Sequence, residues 1–253
     1  MVKVSQNLIK NHLKEEKVAK AYRLLENSQR IQILLKMSNI MAVTRLKYND
    51  HGPIHSKITA GSALEILNII TKVKEPNAVK DHGFTMEDAK VITLMGAYLH
   101  DVGNAVHRVK HPLHGTYLIN QPLEKILDKI YRNKEKIIRM KCEIMHCIYS
   151  SDDEIQCLSL EAGVVKVADG TDMAEGRARI PYDLGKKDIH SVSALAIRRV
   201  DIEEGEQRPL KITITMDNPA GIFQVQNVLQ KKIHTSGLEE DIEIKTIQRE
   251  ERK

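Results

Sequence analysis

Leu-Met-Gly-Ala-Tyr-Leu-His-Asp-Val-Gly, residues 94–103, decides how the chain is read. From Val91 to Leu99 nearly every residue is apolar or small, so a helix here is buried on all sides. His100 and Asp101 follow as an adjacent polar pair, and Gly103 is a natural helix stop. Val91, Leu94, Tyr98 and Asp101 step by three, four and three, which puts Asp101 on an apolar stripe. A buried carboxylate is costly unless it is paired or bound to a metal. A metal ion between His100 and Asp101 is the simplest repair.

The flanking sequence supplies further inward polar groups. Thr85 caps the central helix, with Asp88 three residues on as a capping box. Upstream, residues 1–25 read as charged helix, and residues 28–45 continue as helix with an apolar face built on Ile31, Leu34, Leu35, Ser38, Met41 and Ala42. The turn-rich stretch 48–53 is a loop in which His51 reads as a loop residue, and Pro53 opens a helix carrying His55 in its first turn. A polar linker spans residues 72–83.

Downstream, Gly103 is followed by a loop rich in His and basic residues, with His107, Arg108, Lys110 and His111, and Pro112 restarts a helix. Two further helices are expected, over 123–131 and 134–149, the second carrying His146. In a helix over 154–173, Ile155, Leu158, Ala162, Val165, Asp169 and Asp172 step by three and four, which places Asp169 on the core face. Asp172 on the same stripe either supports a ligand or pairs with Arg177 at the helix end. The pattern changes near residue 191. Strands are expected over 196–203, 210–216 and 241–246, with a helix opening at Asn218-Pro219 and ending at Gly237.

Composition narrows the class. The 253 residues suffice for one large domain or two ordinary ones. With no Trp and two Phe, aliphatic side chains and nine Met fill the core. A net charge of +5 spread along the chain implies tolerance of an anionic ligand and little more. Nucleic acid is an unfavoured partner, since there is no compact basic stripe and few aromatics to stack bases. Three cysteines, Cys142, Cys147 and Cys157, argue against a disulfide framework and for a reducing cytosol. Their spacing with His146 fits no common zinc pair. No apolar run reaches the length of a membrane span, and the N-terminus has no signal-peptide core. A cytoplasmic protein with no membrane partner is therefore expected.

The ordered set His55, His100-Asp101 and Asp169 resembles the HD superfamily of metal-dependent phosphohydrolases, a family named for its adjacent His-Asp pair on a buried helix. The likeness covers roughly residues 50–185. Ala-Tyr-Leu-His-Asp-Val-Gly is similar to the family's H-D-x-G, and Lys-Val-Ala-Asp-Gly-Thr-Asp-Met to the segment carrying its last metal-binding Asp. The resemblance implies a mainly α HD-type helical bundle over 1–188 and a small C-terminal α+β domain over 189–253. It also implies a divalent transition metal (Mn, Fe, Co, Ni or Zn) held by His55, His100, Asp101 and Asp169. His111-Pro-Leu-His-Gly115 resembles the family's H-P-x-x-G, so His111 and His146 are the expected ligands of a second ion, with Asp101 bridging. Many dinuclear relatives carry Lys after H-D-x-G where this chain has Asn104, and some show paired His where it has His146-Cys147.

The expected activity is hydrolysis of a phosphate ester or anhydride, most naturally of a nucleotide, by water that the metal activates and Asp101 holds. His114 or His111 would pass a proton to the leaving oxygen. Arg108, Lys110, Arg177 and Arg179 are either solvated loop charges or clamps on the substrate phosphate. The rival is a metal- and nucleotide-binding sensor without turnover, in which the tail relays the signal. Exposed strand edges in that tail point to a homodimer.

Overall fold

A computed structural model describes residues 1–174 and 189–249. Its mainly helical body carries a small C-terminal α+β part, which is the class expected from the sequence. The central helix is α5 (Met86–Leu99), and every residue from Val91 to Leu99 is buried. Thr85 Oγ1 accepts from the Asp88 amide and Asp88 accepts from the Thr85 amide, so the capping box fixes its start. Around α5 pack α1 (Glu16–Glu26), α3 (Pro53–Ile70), α7 (Lys134–Tyr149) and α8 (Leu160–Thr171). α2 (Gln29–Asn39) runs on into a π-helical turn, Ile40–Arg45. A short α4 (Asn77–His82) occupies the expected linker and closes on Gly83 in the left-handed conformation.

The helix after Pro112 does not break where expected. α6 (His111–Ile130) runs unbroken with Pro122 inside it; Pro122 removes one backbone donor, and the packing of Leu123, Ile126 and Leu127 into the core carries the helix through. The helix expected from residue 154 starts only at Leu160, where Ser159 caps it. Leu158, placed on its apolar stripe by spacing alone, is 79% exposed. Short-range periodicity cannot tell a helical face from a loop that happens to match it.

The C-terminal part contains α9 (Ile189–Leu195), β2 (Ile197–Glu204), β3 (Leu210–Met216) and β4 (Ile242–Gln248). Between β3 and β4 lies α10, made of the consecutive segments Ile222–Gln224, Val225–Leu229 (π type) and Gln230–His234. The β2–β3 hairpin is antiparallel, Ile202 facing Ile212, and β4 joins parallel to β3, Leu210 facing Ile242. The fourth strand corrects the reading of the N-terminus as helix. β1 (Val2–Lys3) pairs antiparallel with β2, Val2 facing Ile202, and a 3-10 turn follows at Leu8–His12. Strand pairing across the whole chain length leaves no local period in the sequence. The sheet order is β1-β2-β3-β4, and its inner face shares one apolar core with the helices.

Candidate metal centre

The centre is built at the C-terminal end of α5. Ser38 on α2 donates its hydroxyl to the Asp101 carbonyl at 3.1 Å, which ties the residues after α5 to the neighbouring helix. Gly103 then lies against α6: a Cβ there would stand 1.8 Å from the His111 carbonyl oxygen and 2.4 Å from the Gly115 amide nitrogen. The glycine is thus required by close approach, and its backbone is not left-handed. That approach seats His111 and the loop before it beside Asp101.

Four predicted ligands converge. His55 Nε2 lies 3.2 Å from His100 Nε2, 3.3 Å from Asp101 Oδ2 and 3.1 Å from Asp169 Oδ1. His100 Nε2 is 3.4 Å from Asp101 Oδ2 and 3.6 Å from Asp169 Oδ1. His55, His100, Asp101 and Asp169 are all buried. The outer nitrogens of both imidazoles are committed elsewhere. His100 Nδ1 donates to the Ala97 carbonyl at 2.8 Å, and His55 Nδ1 donates to Asp172 Oδ2 at 2.7 Å. Those acceptors oblige each Nδ1 to carry the proton, so in the neutral rings both Nε2 lone pairs aim at the same point. Asp172 therefore orients the His55 imidazole; the other partner offered for it by the sequence, Arg177, lies outside the described residues.

The electrostatics agree with a cation-binding site. Burial opposes charge on His100, but Asp101 and Asp169 outweigh it and push its pKa up to about 9. Burial would raise the Asp101 carboxyl, yet His51, His100 and His111 hold it well below the ordinary carboxylate range. Asp169 is held down in the same way, against burial, by Lys232, His100 and His55. Two overlapping groups, His51 with His55 and Asp101, and His55 with His100 and Asp169, are close enough to hold a metal ion, and imidazole with carboxylate is a donor set that suits one.

Two members were not expected from the sequence. His51 is buried, with Nδ1 2.5 Å from Asp101 Oδ2, and with His55 and Asp101 it forms a second overlapping ligand group. Its only sequence signal was a position four residues before His55, in a loop whose path was unknown. Lys232 on α10 is buried, with Nζ 2.9 Å from Asp169 Oδ2 and 2.7 Å from Asp153 Oδ1. Nothing local in the sequence marks it, because it reaches the site across the boundary expected at residue 188.

The remaining candidates divide. His111 Nε2 is 3.3 Å and Arg108 Nη1 3.7 Å from Asp101 Oδ1, whereas His55 and His100 approach its Oδ2. Asn104 is buried and donates to that same Oδ1 at 2.8 Å. His114 follows His111 by one turn, and its Nδ1 is buried without a hydrogen-bond partner among the described residues. Lys110 is exposed, in a left-handed conformation at the start of α6. The structure does not bring His146 to the cluster: its Nε2 accepts the Leu158 amide at 3.0 Å, and burial lowers its pKa, as suits a neutral acceptor. Arg177 and Arg179 lie outside the described residues. A groove of about 1050 Å³, lined by Asp153, Arg208, Lys231, Ile233, Ile242 and Glu243 among others, opens on the C-terminal part, and none of His55, His100, Asp101 and Asp169 lines it.

No family model matches the chain, and no solved structure matches it. Among the described residues no helix is long and apolar enough to cross a membrane. The chain is 50% identical over 224 residues to the uncharacterized protein MJ1020 of Methanocaldococcus jannaschii, a match spanning 88% of this chain and 86% of that protein. With half of the aligned residues identical along nearly all of both chains, this protein belongs to the family that includes MJ1020.

Proposed function

We propose that the chain is a metal-dependent phosphohydrolase of HD type, acting in the cytoplasm on a phosphate ester or anhydride, most naturally of a nucleotide. One observation carries the reading: His55 Nε2 lies 3.1–3.3 Å from His100 Nε2, Asp101 Oδ2 and Asp169 Oδ1, and His100 Nε2 lies 3.4 and 3.6 Å from the same two carboxylate oxygens, across three separate elements. A divalent ion there would polarise a phosphoryl oxygen and make bound water a stronger nucleophile. The chain's own residues do the rest. Asp172 and the Ala97 carbonyl hold the two imidazoles in the ligating tautomer. Asn104 fixes the Asp101 carboxylate so that Oδ2 faces the ligands and Oδ1 faces His111 and Arg108.

Arg108 and His111, with Lys110 and His114 beside them, form the side from which a phosphate would approach. Arg108 is the group suited to grip it. His114, whose Nδ1 is unpartnered among the described residues, is the candidate for passing a proton to the leaving oxygen. The donors gather on the Oδ2 side of Asp101, while Asn104 already occupies Oδ1, so the reading is of one ion rather than two. The sheet edges fit a homodimer.

Asn104, standing where many dinuclear relatives carry Lys, favours one alternative, a metal- and nucleotide-binding sensor without turnover. Element analysis of the purified protein, followed by a panel of nucleotides assayed for released phosphate, separates the readings. Metal with turnover that is lost in Asp101→Asn supports the enzyme. Metal and nucleotide binding with no phosphate released supports the sensor. Absence of metal from protein offered Mn, Fe, Co, Ni and Zn would remove both.

A further inference from the structure

We propose that Lys232 is a positioning residue of the metal centre, through which the C-terminal α+β part sets how tightly the ion is held. The inference rests on the metal reading above. Among the described residues the two oxygens of Asp169 face different groups: Oδ1 faces His55 and His100 at 3.1 and 3.6 Å, and Oδ2 faces Lys232 Nζ at 2.9 Å. The lysine is buried and has a second anchor, Asp153, at 2.7 Å, and its Nζ lies 3.4 Å from the Ser151 carbonyl. Its stem packs against Gly170, where a Cβ would stand 3.2 Å from Lys232 Cδ. An ammonium in such a position cannot swing away from Asp169 without leaving its own charge buried.

Three consequences follow from this arrangement. With Oδ2 engaged by Lys232, Oδ1 is the oxygen that Asp169 would offer to an ion. The carboxylate is a weaker donor than one whose other oxygen meets a neutral group, and the ammonium repels a dication held on the far side of the same carboxylate. The usual support for a metal ligand is an acceptor that raises its basicity, as Asp172 does for His55. Lys232 does the opposite for Asp169, so it holds metal affinity below what the ligand set alone would provide. Asp153 shares the lysine and moderates that effect.

Cobalt(II) titration of the full-length chain, followed by its visible absorption, tests this. Lys232→Met should bind cobalt about tenfold more tightly, the lower end of the range for changes to a ligand's support. Its absorption should weaken as Asp169 engages through both oxygens. Asp153→Asn, a change at a half-exposed carboxylate that the fold should tolerate even where Lys232→Met does not, should bind cobalt more weakly than wild type. Cobalt affinities and spectra equal to wild type in whichever variants fold would overturn the inference while leaving the metal reading intact. Failure of the wild-type chain to bind cobalt at all would instead sink the metal reading on which it rests.

Discussion

His55 Nδ1 lies 2.7 Å from Asp172 Oδ2, joining the first turn of α3 to the end of α8. The contact holds the imidazole so that Nε2 faces His100, Asp101 and Asp169, and it comes from a residue three positions beyond Asp169. Asp172→Asn keeps the shape but replaces a carboxylate acceptor with an amide that can meet Nδ1–H through only one of its two ends. Metal affinity should fall about 10- to 100-fold, read by competition with a chelating dye, while the helical circular dichroism stays unchanged. Unaltered affinity would show that the pair is a bystander.

His51 belongs to one of the two candidate ligand groups, whereas His55 belongs to both. His51→Ala should therefore retain bound metal with affinity lowered about tenfold, whereas His55→Ala should lose it, because His55 alone belongs to both ligand groups. Element analysis after dialysis distinguishes the two. Equal retention in both variants would contradict the shared role assigned to His55.

Gly103 sets the distance between the residues after α5 and the start of α6. Gly103→Ala would force the His111 carbonyl and the Gly115 amide apart from their present contact at 1.8 and 2.4 Å from the new methyl. We expect a loss of about 3 kcal/mol in stability, measured by urea unfolding, with His111 and Arg108 drawn away from Asp101. A variant as stable as wild type would show that this approach is soft.

Asp88 gives a dependence on pH away from the metal centre. Its side chain is fully buried and meets Lys136 at 2.5 Å, Lys17 at 3.1 Å and the Tyr131 hydroxyl at 2.9 Å. Burial pushes its pKa up, but Lys136, Thr85 and Tyr131 outweigh burial and hold it far below the ordinary value. A carboxylate depressed in the folded state stabilises the fold at pH values above its unfolded pKa of about 4, and that contribution disappears as pH falls through the folded value. Asp88→Asn should cost about 2–3 kcal/mol at pH 7, and the gap to wild type should shrink steadily below about pH 4. Denaturant midpoints measured across that range check the sign; a gap that widens on acidification would refute it.

Much of this protein can be read from its sequence because the deciding signals are local. The period of α5, the Thr85–Asp88 box and the His100-Asp101 pair at the end of an apolar run need only neighbouring residues to be recognised. The same holds for Asp169, whose inward face follows from its place on α8. Burial of each carboxylate on an apolar stripe already demanded a partner, whatever the surroundings proved to be. What the sequence could not decide is which distant groups provide that partnership. His51, from a loop, and Lys232, from beyond the sheet hairpin, reach Asp101 and Asp169 only because α3 packs against α5 and α10 against α8. His146, matched by family pattern, turns instead to the Leu158 amide, since the segment ahead of α8 is a loop with backbone donors to satisfy. The N-terminal strand is hidden for the same reason, as Val2 finds Ile202 across almost the whole chain. Periodicity records which face of an element is buried; only the folded packing determines what each face meets.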